Sequence, residues 1–499
     1  MDLSALLAPD TLLNSVIQVL LDEQVEAYLV GGSVRDALLA RSVQSFHDLD
    51  FAVPWGGLAL ARRLANRLGG AFFALDADRD TGRVVLTGVD GRRRYLDFAQ
   101  WRGDSLHADL ADRDFTINAM ALGITQEGAP LVDPFGGQDD LLAKVVRVVS
   151  KDSFAHDPVR VLRAARMEAT FGFGIEPHTE TLLRQAIPWL DRVSRERVRD
   201  ELERIIAMPG AAAHVSRLDE LGLLAVVLPK IVALKSVTQP PPHNIDVWGH
   251  TLRVLESLEG LFAWLWPDAG YRPLAGEAGR ATVRLAPWRE SWQEHLLQPA
   301  SGDRLRLSLL KLAALLHDVG KPETHSQDEG GRIRFLGHEK RGAKIAAGVL
   351  RYLRFSKEEI SLVQMIVAHH LRLLHLGRVK VVTRRAIYRF FRETGAAGVD
   401  LVLLGLADYL GTHGDLLPPA EWQRTLDAAA VLLEGYFDQR QKVVSPPGLI
   451  NGRDLMAKFD LAPGPRLGEL LARVREAQAE GRVSTREGAL AFVQEMLDG

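Results

Sequence analysis

Tyr28-Leu29-Val30-Gly31-Gly32-Ser33-Val34-Arg35-Asp36, followed closely by His47-Asp48-Leu49-Asp50-Phe51, is the stretch whose reading decides the fold. In its first half an apolar strand runs into a glycine pair. Glycine lets the backbone turn tightly and approach a ligand closely. Ser33 is placed to cap the next helix, whose N-terminal N–H groups favour an anion such as a triphosphate. Taken alone, this is equally an ordinary strand-turn-helix. The second half is a strand, along which side chains alternate. Asp48 and Asp50 therefore share one face, while Leu49 and Phe51 face the core. Two carboxylates on one face repel unless something cationic lies between them. A pair of Mg²⁺ ions does that, and can clamp both the attacking and the leaving oxygen of a phosphoryl transfer. Asp97, in Arg94-Tyr95-Leu96-Asp97-Phe98, is a third carboxylate on a strand-like segment, placed to complete such a cage.

Outward from this stretch, residues 1–25 read as one amphipathic helix, and residues 26–150 alternate short β-rich runs with helical runs, as a small α/β domain does. From Asp157 the pattern is helical almost to the end. Prolines at 240–242, 418–419 and 446–447 break it. The expected layout is an N-terminal helix (1–25), a mixed head (26–150), a helical neck and body (151–239), a helical domain (240–415) and a helical tail (416–499). Trp264, Trp266, Trp288 and Trp292 fall among Gly and Pro in residues 261–303, which read as an insertion in the fourth segment.

With 499 residues, the chain exceeds what one hydrophobic core organises. Apolar residues make up 47% and charged residues 25%, a soluble globular balance. The net charge of −3 gives no global basic footprint, so any nucleic-acid contact must come from local clusters. Candidates are Arg92-Arg93-Arg94, the set Arg160, Arg163 and Arg166, and the set Arg192, Arg195, Arg197 and Arg199. The absence of cysteine excludes disulfides, thiolate nucleophiles and cysteine-ligated zinc. Residues 1–21 lack a basic start and a cleavage site, and no uncharged apolar run reaches membrane-spanning length, so no membrane association and a cytoplasmic location are expected.

Further motifs follow in order. They are Arg113-Asp114-Phe115-Thr116-Ile117-Asn118-Ala119-Met120, Asp133-Pro134-Phe135-Gly136-Gly137 with Asp140-Leu141, Asp157-Pro158-Val159-Arg160-Val161-Leu162-Arg163-Ala164-Ala165-Arg166, and Ser194-Arg195-Glu196-Arg197-Val198-Arg199-Asp200-Glu201. Together with the opening stretch they resemble motifs A to E of the class II tRNA nucleotidyltransferase (CCA-adding) and bacterial poly(A) polymerase family. The resemblance implies an α+β fold: a nucleotidyltransferase head of the DNA polymerase beta superfamily, followed by all-α neck and body. It implies that Asp48 and Asp50 hold Mg²⁺, beside which Asp97 is the further catalytic carboxylate expected from the strand pattern. Gly31, Gly32, Ser33, Arg35 and Asp36 would cradle the triphosphate. Arg113 and Asp114, with Asn118 of the same motif, would contact the nucleotide, and Asp157 and Arg160, with Arg163 and Arg166, would meet the base. The residues allow that last role. A carboxylate accepts from an exocyclic amine and a guanidinium donates to a ring nitrogen or carbonyl. Cytosine and adenine both carry an amine beside an acceptor, whereas uracil and guanine do not match. Asp157 reads equally as a helix N-cap with Pro158 in the first turn. The chain departs from the family at His156, where Glu is usual, at Asp112, where a second Arg is usual, and at Asp139-Asp140, where the acidic position is doubled.

A second constellation comprises His250, the pair His317-Asp318, His338, the pair His369-His370, and Asp408. His317-Asp318 closes an apolar helix, where a charged pair is costly unless coordinated. Imidazole and carboxylate together suit Mn²⁺, Ni²⁺, Fe²⁺ or Mg²⁺. The order resembles the HD phosphohydrolase superfamily, which implies an all-α HD domain. If active, its site hydrolyses phosphoesters, such as 2′,3′-cyclic phosphates at RNA ends; otherwise it is structural. The tail from Gly448 also resembles HD-bearing family members.

The expected activity is therefore Mg²⁺-dependent, template-independent transfer of CMP and AMP from CTP and ATP to an RNA 3′ end, foremost that of tRNA. Poly(A) addition, CC-only or A-only addition, and a metal phosphohydrolase with an RNA-binding head are the alternatives.

Overall fold

The computed structural model describes residues 11–39, 48–88, 91, 93–124, 130–302 and 304–498. The first ten residues of the expected N-terminal helix, His47, Arg92 and Asp303 lie outside the described residues. The chain divides into two compact units, Met1–Ser194 and Arg195–Gly499.

The first unit is built on a seven-stranded sheet. Its strands are β1 (Tyr28–Val30), β2 (Asp48–Val53), β3 (Ala71–Asp76), β4 (Thr81–Thr87), β5 (Arg93–Gln100), β6 (Ala121–Gly123) and β7 (Leu131–Val132), in the order β3-β4-β5-β2-β1-β6-β7. Within this sheet, among the described residues, only β2 and β5 run parallel, and their register sets Asp50 opposite Asp97. The expected alternation holds on β2: Leu49 and Phe51 are buried, while Asp48 and Asp50 are exposed. Phe51 stacks on Phe98 of β5 with ring centroids 4.7 Å apart. Burying each ring contributes about 2 kcal/mol, which pins the register and holds the carboxylates on the opposite face. The helix Thr11–Asp22 buries Leu13, Val16, Val19 and Leu20. The helix Arg160–Phe171 ends the head's site, burying Val161, Leu162, Ala164 and Ala165 on one side.

The second unit is helical, as the sequence pattern implies. Its centre is the helix Ala397–His413, buried from Ala397 to Gly411, against which the helix Val247–Leu265 packs. The Trp-rich segment is folded into this unit. Trp292 is fully buried and meets Trp264 edge-on at 6.0 Å. Trp288 donates to Asp438, and the Glu277 carbonyl accepts from Trp422. No single helix among the described residues is long and apolar enough to cross a membrane.

Candidate functional site

The open face of β2 and β5 floors a cleft of about 480 Å³. Asp50 and Asp97 line it together with Arg113, Arg160, Arg163 and Arg166. Asp50 is accessible but ringed by protein. Burial, Asp97 and Asp48 together raise its carboxyl above the usual range, against the opposing charges of Arg113 and Arg83. That excess of negative charge fits a divalent cation. Asp97 accepts both arms of Arg83, at 2.7 and 2.8 Å. Sequence reading missed Arg83, whose partner becomes visible only through the β4–β5 register that pairs the two residues.

The glycine turn does what its sequence implies. Gly31 has φ +73°, and a Cβ there would meet the Arg113 guanidinium at 2.8 Å. Ser33, however, does not cap the helix. Gly31 is the N-cap of Gly32–Leu38, because glycine alone accepts that backbone without strain. Ser33 lies inside the first turn and donates to the Asp48 carbonyl at 3.3 Å, tying the turn to β2. Arg35 is buried and grips Asp36 at 3.0 and 3.1 Å and the Asn118 side chain, and it lies over the Phe171 ring at 4.5 Å.

Asp114 is buried beneath the cleft. Burial opposes its charge, yet Arg163 at 2.9 Å, Asn118 at 2.9 Å and the Phe115 N–H at 2.8 Å hold its carboxyl below the usual range. Arg113 is braced by Asp109 at 3.1 Å. Asp133 accepts from the N–H groups of Gly137 and Gln138, at 2.7 and 2.9 Å, capping the helix Gly137–Ala143. A Cβ on Gly137 would lie 2.4 Å from the Thr116 carbonyl. Of the doubled acidic pair, Asp140 is buried and bonds Thr116 at 2.6 Å and Arg147 at 3.1 Å.

Asp157 caps the turn that leads into the long helix: its Oδ1 accepts from the Val159 N–H at 3.4 Å and its carbonyl from the Arg160 N–H at 3.0 Å. Asp157 closes the short helix Ser153–His156 in an extended conformation, and the long helix begins at Arg160. Pro158 is the cause, since the residue before a proline is pushed out of the helical region. Arg160 donates to the carbonyls of Asp112 at 2.6 Å and Arg113 at 3.2 Å, and to Ser153 Oγ at 2.9 Å. Its Nε is buried without a partner among the described residues. The departures Asp112 and His156 face each other at 3.3 Å, and Asp112 also pairs with Arg102 at 2.5 Å. In the third basic cluster, Arg199 is engaged by Asp200 and the Arg354 carbonyl, and Arg195 lies over the Tyr352 ring.

In the second unit two buried triads lie together: His250, His317 and Asp408, and Asp318, His338 and His370, of which Asp318, His338, His370 and Asp408 line a cleft of about 980 Å³. The Nδ1 atoms of His317, His338 and His370 lie 2.7 to 2.8 Å from the carbonyls of Ala314, Phe335 and Val367. Donation there leaves each Nε2 a lone pair aimed inward. Yet His317 Nε2 and His250 Nε2 are 3.3 Å apart, as are those of His338 and His370. His250 Nε2 also lies 3.1 Å from Asp408 Oδ1, and this buried set of imidazoles and carboxylates fits divalent cations. Asp318 reaches both groups, with Oδ2 3.2 Å from His317 and Oδ1 3.4 Å from His338. Burial opposes its charge, but His317, Lys321 and His338 hold its carboxyl well below the usual range. Burial and the neighbouring His317 push His370 down to about 3, keeping it a neutral ligand.

His369 stands outside both triads, lining the cleft wall. Adjacent helical residues point about 100° apart, so only one of the two can face the centre. Sequence reading missed Lys321, which donates to Asp318 and to Gln239, each at 2.6 Å. Its signal was the spacing of three from Asp318. It also missed His243, whose ring meets His250 edge-on at 4.8 Å and which burial pushes down to about 3.

The family model of the poly A polymerase head domain matches residues 27–147, and that of the HD domain matches residues 247–410. Residues 420–493 match domain 2 of the tRNA nucleotidyltransferases. An A-adding tRNA nucleotidyltransferase of Deinococcus radiodurans is 36% identical over 94% of this chain and 95% of its own. A CC-adding tRNA nucleotidyltransferase of Thermus thermophilus is 34% identical over 94% of this chain and 93% of its own. Among solved structures, a CCA-adding enzyme with CTP covers 100% of this chain and 99% of its own, at TM-score 0.64 and 24% identity. The Thermotoga maritima CCA-adding enzyme complexed with tRNA covers the same shares, at TM-score 0.59 and 22% identity, a likeness of fold. Full-length identity above three in ten, carried through the head and the HD segment alike, means that this chain belongs to the tRNA nucleotidyltransferase and poly(A) polymerase family.

Proposed function

We propose that the protein adds CMP and AMP, from CTP and ATP, to the 3′ end of tRNA without a nucleic-acid template. The observation that carries this reading is the paired acidic face of β2 and β5 beneath an arginine-lined cleft. Mg²⁺ bound at Asp48 and Asp50 supplies charge neutralisation for the nucleotide phosphates and the attacking hydroxyl. The chain's own residues do the positioning. The Gly31–Gly32 turn gives the triphosphate close access to backbone. Arg113, held by Asp109, and Arg163, held by Asp114, present fixed positive charge. Asp97, fixed by Arg83, keeps its carboxylate beside Asp50. In the reaction the 3′-hydroxyl oxygen bonds to the α-phosphorus and the bond to the β-phosphate oxygen breaks. Pyrophosphate leaves, and the hydroxyl proton passes to solvent.

Named relatives divide between A-adding and CC-adding enzymes, so the number of nucleotides added is the quantity to measure. Labelled ATP or CTP is offered with Mg²⁺ and tRNA ending before, within or after CCA. A single completed CCA is the expected product. Addition of CC alone, of A alone or of long A tails assigns the narrower or broader specificity, and no incorporation on any end refutes the reading.

A second activity is favoured by the facing Nε2 atoms in the helical unit: hydrolysis of phosphoesters at a two-cation HD site. Mn²⁺, Ni²⁺, Fe²⁺ or Mg²⁺ bound there would polarise the phosphate and activate the attacking water. His250, His317 and Asp408 would hold one ion and His338 and His370 the other, with Asp318 between them and Lys321 orienting Asp318.

A further inference from the structure

A cavity of about 450 Å³ lies between the helix Arg384–Thr394, the turns Glu434–Asp438 and Arg440–Val444, and the helix Pro465–Glu480. It shares no lining residue with either cleft described above. Its polar side chains are donors: the guanidiniums of Arg392, Arg440 and Arg475, and the hydroxyls of Tyr388, Tyr436 and Ser445. No Asp or Glu lines it, whereas both clefts above are lined by carboxylates.

The donors are poorly satisfied within the protein. Arg440 and Arg475 have no carboxylate partner among the described residues, and Arg440 instead lies over the Tyr436 ring at 4.9 Å. Arg392 has only distant carboxylates, Glu393 at 3.6 Å and Glu476 at 3.9 Å. The hydroxyls of Tyr388, Tyr436 and Ser445 have no hydrogen-bond partner among the described residues. The backbone that delivers them is also unusual. Two successive π-helical turns, a rare conformation that is frequent at functional sites, bring Tyr436 and Arg440 to the same wall. The three guanidiniums line one cavity that holds no carboxylate among its lining residues, and an anion with several acceptor oxygens matches that donor set.

We propose that this cavity seats a phosphate of the bound RNA backbone. The inference rests on the nucleotidyl-transfer reading for the identity of the RNA. With a net charge of −3 the chain has no global field for RNA, so its phosphate contacts must be local clusters of this kind. Tyr436, Arg440, Ser445 and Arg475 also fall within the segment that matches domain 2 of the tRNA nucleotidyltransferases. A nucleoside triphosphate offers the same phosphate chemistry, so the test separates the two sources.

The full-length double variant Arg440→Ala/Arg475→Ala is compared with the wild type and with Arg475→Ala alone, an exposed position. Filter binding of tRNA lacking CCA is measured over a salt series, alongside the KM for tRNA, the KM for ATP and the melting temperature. The expected result is a rise of about tenfold or more in the tRNA Kd and KM, with a salt slope shallower by about one. The KM for ATP and the melting temperature stay unchanged, and Arg475→Ala shows part of the same loss. An unchanged tRNA Kd and salt slope overturns the proposal, and a rise confined to the KM for ATP overturns it in favour of a free nucleotide. The binding arm needs no chemistry, so failure of nucleotide incorporation by the wild type leaves it standing and counts against the nucleotidyl-transfer reading alone.

Discussion

Asp50 carries its charge at a cost in the metal-free chain, because burial, Asp97 and Asp48 all favour its protonated form. An acid whose folded pKa is raised binds its proton more tightly folded than unfolded. Stability therefore falls as pH rises from the ordinary carboxylate range through the raised value. Asp50→Asn should remove that loss. In calorimetry without metal, its melting temperature should match the wild type at acid pH and exceed it by about 2 °C or more at neutral pH. The same variant should abolish nucleotide incorporation, trading function for stability; equal melting temperatures at neutral pH would show that the charge is not strained. The contact between Asp112 and His156 makes a second prediction at this scale. His156→Glu sets two carboxylates against each other beside the carbonyl that holds Arg160, and should raise the KM for ATP and CTP severalfold. Adding Asp112→Arg should restore it, since an exposed pair is worth about 0.2–1 kcal/mol. If the double variant is no better than the single one, the pair does not position Arg160. Asp48 and Asp50 were legible in the sequence because strand alternation is local. The Arg83–Asp97 pair and the Asp112–His156 contact were not, since each depends on which segments pack side by side. Ser33 was misread as a cap because its role depended on whether Gly31 or Ser33 turned the chain.

At the scale of single elements, the helix Lys357–His369 decides which of two adjacent histidines joins the buried triads. His370→Ala should lower bound divalent metal, measured by elemental analysis, from two ions per chain to about one, while His369→Ala keeps both. Equal losses would mean that both rings reach the centre. The sequence left this choice open because the helix phase, and not the order of residues, fixes it. Another element-scale feature is the join after the helix Arg195–Ala207. Lys311, fully buried, donates to the carbonyls of Ala207 and Met208 and to Glu259 at 2.7 Å. Glu259 in turn accepts from the N–H groups of Gly210 and Ala211, opening the helix Ala211–Glu220. One buried ion pair thus closes one helix and starts the next. Removing one partner of a buried pair costs about 3–5 kcal/mol, so Lys311→Met should lower the melting temperature by several degrees. Metal content should stay at two ions per chain. A change below 1 °C would show that the pair contributes little. Lys311 sits inside the apolar run Arg306–Leu316, and nothing in that run signals the charge that meets it.

Across the whole molecule, each chemical set is compact in sequence. The carboxylates and arginines of the head fall within residues 31–166, and the HD ligands within residues 250–408. The cavity of Arg392, Arg440 and Arg475 was not readable, because its lining comes from three separate segments. The Trp-rich segment was recognised as a distinct stretch, but its docking on Asp438 and Trp422 needed the fold. The two clefts share no residue, and they belong to different compact units. Their chemistries should therefore separate cleanly. Asp318→Ala should abolish phosphodiesterase activity on a 2′,3′-cyclic nucleotide and release divalent metal, because it removes a carboxylate that lies within 4 Å of histidines of both triads. It should leave CMP and AMP incorporation within about twofold of the wild type. Asp48→Ala should do the reverse, losing incorporation by about three orders of magnitude or more while keeping hydrolysis. If Asp318→Ala also stops incorporation although the melting transition of the head is unchanged, the two sites act on one bound RNA in sequence. If neither the wild type nor any metal-loaded form hydrolyses phosphoesters, the triads serve the fold, and metal removal by a chelator should then lower the melting temperature of the helical unit alone.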